Sequence, residues 1–134
     1  MQIYGYCIMP SHIHLIFRAE NNNPSDIIHD FKTFTSKKIV KLIEENPQES
    51  RKEWLLWMFR RAGARKTNVK NYQFWQQDNH PIEIWTLSVF EEKLNYIHQN
   101  PVKSGFVEKA WEWKYSSAKN YCDDMSAVLE IDIN

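Results

Sequence analysis

Cysteine is scarce in this chain, and its scarcity excludes two classes at once. Cys7 and Cys122 are the only two in 134 residues, too few and too far apart for a disulfide framework or a four-cysteine zinc site. Cys7 lies in an apolar run, where a buried, inert thiol is the ordinary reading. Long apolar runs are missing too: none approaches the roughly 18 residues of a membrane span, and no basic-then-apolar N-terminal segment reads as a secretory signal. The expectation is a soluble, cytoplasmic protein without a membrane partner. Net charge is absent as well, with 17 Lys and Arg against 17 Asp and Glu, so bulk charge does not argue for nucleic acid. No internal repeat or low-complexity stretch is present.

What is there is 43% hydrophobic and 14% aromatic residues, enough for one core and one domain spanning residues 1–134. The charges that cancel overall are segregated. Arg51, Lys52, Arg60, Arg61, Arg65, Lys66 and Lys70 face a single acid, Glu53, between Arg51 and Tyr72, whereas Asp123, Asp124, Glu130 and Asp132 sit without a base at the C-terminal end. A basic middle and an acidic tail give one region suited to phosphates, or simply a solvated basic helix and loop.

Residues Gln2 to Met9 and His12 to Arg18 read as two strands of a hairpin broken at "PSH". A helix is expected from about Pro24 to Glu45, stopping before Asn46-Pro47. A second is expected from about Glu49 to Arg61, ended by Gly63, with Trp54, Leu55, Trp57 and Met58 on its apolar side. "ARKTNVKN" reads as an exposed basic loop, and "YQFWQQDNHPIEIW" as extended structure with a turn at Asn79 to Pro81. Ser88 and Glu91 form a capping-box signature for a third helix ending at Asn100-Pro101, with Phe90, Leu94 and Ile97 as its buried stripe. Tyr96 and Asn100, one turn apart, flank that stripe. A short helix near Tyr115 to Tyr121 and a final strand "VLEIDI" complete the chain.

The chemistry-bearing feature is His12-Ile13-His14. Alternate strand residues face one way, so the two imidazoles stand about 7 Å apart along the chain and are able to grip one divalent ion. Two ligands leave a metal open, and Asn100, His80, His98, Gln99, Glu91 and Glu92 are candidates for a third. The alternative for such a pair is a half-buried structural role, with ring nitrogens bonded to backbone.

Four blocks in order carry a more specific signal. "YGYCIMPSHIHLIF" resembles the histidine-hydrophobic-histidine (HUH) strand of the single-tyrosine transposases; "FWQQDNHPIEI" and "LNYIHQNPVKSGFV" resemble two later signatures of that group, and "WKYSSAKNY" its C-terminal end. The chain is most similar to the REP-associated tyrosine transposases. The resemblance implies an α+β fold, an antiparallel sheet flanked by helices of the HUH-endonuclease, ferredoxin-like type. It also implies that His12, His14 and Asn100 bind the catalytic Mg²⁺ or Mn²⁺, and that Tyr96 is the nucleophile. His98, two residues after Tyr96 and about 200° around the helix from it, is not given a ligand role.

In that reading the Tyr96 hydroxyl attacks a DNA phosphodiester, giving a 5′-phosphotyrosine and a free 3′-OH, and reversal rejoins strands without ATP. A phenol is a weak nucleophile near neutrality, so a metal on the phosphate oxygens would spread charge and align attack. The implied partner is single-stranded DNA carrying a hairpin. Candidate backbone contacts are Lys32, Lys37, Lys38, Arg60, Arg61, Arg65, Lys66 and Lys70, with Tyr72, Phe74, Trp75 and Trp85 able to stack on unpaired bases. Members of the group usually carry a further strand and helix ahead of the histidine hairpin; here Met1 stands only eleven residues before His12. The expectation is therefore a sheet lacking its usual N-terminal strand, with an open edge that invites a homodimer. Segment 45–70 is also longer than in compact members. Two other classes remain: a catalytically inactive or domesticated DNA-binding remnant, and a histidine-metal hydrolase in which Tyr96 is structural.

Overall fold

The computed structural model describes residues 1–21, 23–65, 72–122 and 126–133. Two compact units are present, one built from Met1–Asn23 with Ile82–Asn134, the other from Pro24–Pro81. Lys66 and Lys70, with most of the expected basic loop, lie outside the described residues.

In the first unit, strands β1 (Gln2–Ile8) and β2 (Ile13–Arg18) pair antiparallel, with Cys7 opposite His14 and Ile8 opposite Ile13. The connection closes where the Met9 amide donates to the His12 carbonyl at 2.9 Å. β-Branched and aromatic residues suit this pleated pair, and the register slips between Ile3 and Gly5. The other edge of β1 is covered from the C-terminal side. The Ile8 amide donates to the Tyr115 carbonyl at 2.8 Å, and the Tyr121 hydroxyl donates to the Tyr4 carbonyl at 2.7 Å. The Asp132 amide donates to the Ile3 carbonyl at 2.7 Å while its carboxylate accepts from the Ile3 amide at 2.8 Å. The expected final strand is thus absent. "VLEIDI" satisfies the β1 edge at one residue and does not form a ladder, so among the described residues the sheet has two strands.

Helix α3 (Leu87–Lys103) packs on β1. Its N-cap is Thr86, not the expected Ser88. Thr86 has extended backbone and its Oγ1 accepts from the Val89 amide at 3.2 Å, which places the true first turn two residues earlier. Nor does Pro101 stop the helix. Its ring is fully buried, and the chain runs on to Lys103. There Gly105, at φ 74°, closes a Schellman motif: the Gly105 amide donates to Val102 and the Phe106 amide to Pro101. Cys7, Met9 and Ile97 form the core, with Ile16, Leu94 and Trp113 against them. The expected last helix is a 3₁₀ segment, Ser117–Cys122.

The second unit holds α1 (Pro24–Glu45) and α2 (Lys52–Ala64). Pro24 opens α1, where a missing amide hydrogen is no loss. Val40, Leu56 and Phe59 form its core, joined by Ile43, Leu55, Met58, Tyr72 and Phe74. Two expectations fail here. Gly63 does not end α2 but lies buried inside it, and Trp54 and Trp57 face solvent, 56% and 52% exposed. Leu56, Phe59 and Gly63 share a stripe about 60° wide, and the tryptophans stand on the opposite side. Residues 72–81 are irregular where extended structure was expected. They are held by the Gln73 amide on the Phe59 carbonyl (3.0 Å) and by Trp75 Nε1 on Thr35 Oγ1 (2.8 Å), with His80 in the left-handed region.

The architecture is α+β, a small antiparallel sheet with flanking helices. Among the described residues no helix is long and apolar enough to cross a membrane. Phe59→Ala should cost about 3 kcal/mol in urea denaturation. Trp57→Ala, about half a turn away and outward, should change stability by no more than about 0.5 kcal/mol. Comparable losses for both would show that Trp57 is core.

Candidate functional site

The geometry of the site follows from two short patterns. His12 and His14 flank the start of β2, with ring centroids 4.9 Å apart and planes nearly perpendicular. Ser11 Oγ lies 3.0 Å from His12 Nδ1, which leaves Nε2 as the other ring nitrogen. His14 is half-buried, and its pKa falls below the ordinary histidine value through desolvation first and the neighbouring His12 second. It therefore stands neutral near pH 7, the form a metal needs.

On α3, Tyr96, Asn100 and Lys103 recur at i, i+4 and i+7, within about 60° of one another. Asn100 Nδ2 lies 3.1 Å from His14 Nε2, and the Tyr96 ring centroid lies 5.6 Å from that of His14. Tyr96 is 49% exposed, open to a large substrate. Lys103 Nζ stands 5.6 Å from the centre of the Tyr96 ring. Lys103 was missed in the sequence, although its two-turn spacing from Tyr96 was a readable signal.

A divalent metal fits the chemistry of this donor set. Two neutral imidazoles and an amide suit first-row ions. Octahedral donors at about 2.1 Å from a cation sit roughly 3 Å apart, the separation seen between His14 and the Asn100 amide group. The amide must then present oxygen, a flip about its terminal bond. Among the described residues no three His, Cys, Asp or Glu side chains come together, so a third donor of another type is required beside the histidines. Of the other candidates, Glu91 and Glu92 are exposed, with Glu92 bonded to Lys93 at 2.9 Å, and His80 belongs to the helical unit.

His98 has a different task. Its Nε2 lies 2.8 Å from Ser117 Oγ, which also accepts from the Tyr6 amide at 2.8 Å and donates to the Tyr6 carbonyl at 3.1 Å. The serine has one proton, and the carbonyl takes it, so the Nε2–H tautomer of His98 completes the node. Burial lowers the His98 pKa to about 4.

The basic candidates are not equivalent. Lys32 Nζ is engaged by the Gln76 and Gln77 carbonyls, and its pKa is lowered by desolvation. Lys37 and Lys38 are exposed beside Phe34 and Lys41 on α1. Arg60 stacks on Tyr72 and Arg61 on Trp57, while Arg65 caps α2. Of the stacking candidates, Tyr72, Phe74 and Trp75 pack within their unit, and Trp85 is 82% exposed.

An exposed histidine titrates near 6.5, so between pH 6.5 and 4 the unfolded chain binds a proton that folded His98 refuses. This contribution is whole above pH 6.5 and lost as pH falls towards 4, on the order of 3 kcal/mol. The urea midpoint in metal-free buffer should therefore drop from pH 7 to 4. His98→Gln should drop less steeply, with His14 supplying the remainder. An identical slope in the variant would refute the assignment.

The family described as Transposase IS200 like matches residues 1–72, which include both histidines and end before α3. A Haemophilus influenzae protein provisionally named a REP-associated tyrosine transposase is 28% identical over 114 residues, covering 83% of this chain and 55% of its own length. The chain thus spans about half the length of that curated relative. No solved structure matches. With the histidine hairpin inside a match that covers more than half of its residues, the chain belongs to the IS200-like transposase family.

Proposed function

We propose that the chain is a single-tyrosine strand transferase of HUH type, cutting and rejoining single-stranded hairpin DNA with Tyr96 as nucleophile. One observation carries the reading: α3 brings a phenol and an amide, from one helical face, against the His12–His14 pair. Tyr96 oxygen attacks phosphorus, the bond to the 3′-oxygen breaks, the phenol proton is given up and the departing 3′-oxygen gains one. Reversal by a 3′-OH restores the phenol. The number of phosphodiester-type bonds is conserved, so no nucleotide cofactor is needed.

His12, His14 and Asn100 would hold Mg²⁺ or Mn²⁺, which when bound neutralises charge on the scissile phosphate. His14, kept neutral by burial, offers its lone pair. Lys103, beside the Tyr96 ring, is placed to attract phosphate and to favour the phenolate as it forms. Exposure of Tyr96 admits a strand, and its half-buried neighbours exclude part of the water. The reading carries with it a cytoplasmic setting, and a homodimer is compatible with a sheet of only two strands.

Labelled single-stranded hairpin DNA incubated with the chain and Mn²⁺ or Mg²⁺ should yield a protein–DNA adduct on a denaturing gel. Tyr96→Phe should abolish the adduct and keep DNA affinity within a few-fold. His14→Ala should lose both the adduct and at least tenfold in Mn²⁺ affinity by calorimetry. Cleavage without an adduct would mean a hydrolase with a structural Tyr96. A native-gel shift without cleavage would mean a binding protein that has lost turnover.

A further inference from the structure

We infer that the outer face of α2 is a stacking platform for unpaired bases, an inference that rests on the proposal that single-stranded DNA is the substrate. Trp54, Trp57, Arg61 and Arg65 fall within about 80° on the helix, opposite the buried stripe of Leu56, Phe59 and Gly63. Arg65 belongs to this stripe because its backbone keeps helical angles, φ −81° and ψ −5°. Two tryptophans aimed away from a core are uncommon, since each leaves a large apolar surface in water. The Arg61 guanidinium already lies 5.1 Å from the Trp57 ring centre, so plane and charge are presented together.

The charge around them selects the occupant. The unit Pro24–Pro81 carries eleven Lys and Arg against seven Asp and Glu, a formal +4 in a chain whose total is zero. The one acid of α2, Glu53, stands one turn before Trp57 at the rim of the stripe, about 80° and 120° from Arg61 and Arg65, so the two arginines outweigh it on this face. A second copy docking through this face would set Arg61 and Arg65 against their own kind. A single strand brings flat bases to the indoles and phosphates to the arginines, and every base has a face to stack, so the platform would tolerate sequence.

The test uses the full chain and short oligo(dT), with binding read by fluorescence anisotropy. Trp54→Ala with Trp57→Ala should weaken binding roughly 10- to 100-fold. Arg61→Gln with Arg65→Gln should make the dependence of log affinity on log salt shallower by about 1.4, two phosphate contacts' worth. Circular dichroism should match wild type in both. If wild type forms the Tyr96 adduct while the tryptophan variant binds oligo(dT) as tightly as wild type, the platform is wrong and the nuclease reading stands. If wild type binds no single strand, both fall. Unchanged DNA affinity with a shift from dimer to monomer on gel filtration would assign the face to a second copy instead.

Discussion

Ser117 Oγ is the point on which the site depends. This one buried hydroxyl meets the Tyr6 amide, the Tyr6 carbonyl and His98 Nε2 within 3.1 Å, tying β1 to α3 through polar groups with little freedom to drift. Apolar contacts of Ile97 and Leu94 against Cys7 and Met9 supply the greater part of the burial energy, but they are non-directional. The hydrogen bonds fix which turn of α3 faces which residue of β1, because a polar group moved by one position would be buried and unpaired. His14 sits opposite Cys7 in the neighbouring strand, one residue along from Tyr6. The distance from the pin to the histidine pair is therefore set by strand geometry alone.

Alternation of faces along α3 does the rest. Ile97, His98 and Pro101 are buried, while Tyr96, Asn100 and Lys103 lie on the flank that meets His14 or solvent. One helix thus carries core, pin and site on adjacent stripes. The Schellman motif at Gly105 lets it reach Lys103 before turning, and without the last turn the lysine would not stand over the Tyr96 ring.

Much of this was legible in the residues. Both strands follow from alternation about the "PSH" break, the bounds of α1 from its Pro24 start and its Asn46-Pro47 stop, and the flanking position of Tyr96 and Asn100 from helical spacing. What was not legible has physical causes. Thr86 and Ser88 are both competent caps, and only the backbone angles of Thr86 decide between them. Pro101 reads as a stop because interior proline costs a hydrogen bond, but its burial offsets the loss. Trp54 and Trp57 read as core because indole is apolar, whereas Leu56 and Phe59 fill the space available. The capping of β1 by Tyr115, Tyr121 and Asp132 joins residues more than a hundred positions apart, which no local pattern encodes.

A buried His–Ser pair is not the simplest way to join helix and sheet, since an apolar pair of the same shape can hold them nearly as well. The choice is intelligible if the purpose is register. A slip of α3 by one residue rotates its faces by about 100°, which would carry Asn100 away from the His14 ring it now meets at 3.1 Å. Apolar contacts resist such a slip less sharply, because they are non-directional and can repack around small shifts. The Ser117 node cannot, because its serine proton, the His98 Nε2 and the amide and carbonyl of Tyr6 match in a single arrangement. The polar pin converts a preference for contact into a choice of geometry, and the strand transfer proposed for Tyr96 would need that geometry more than the stability.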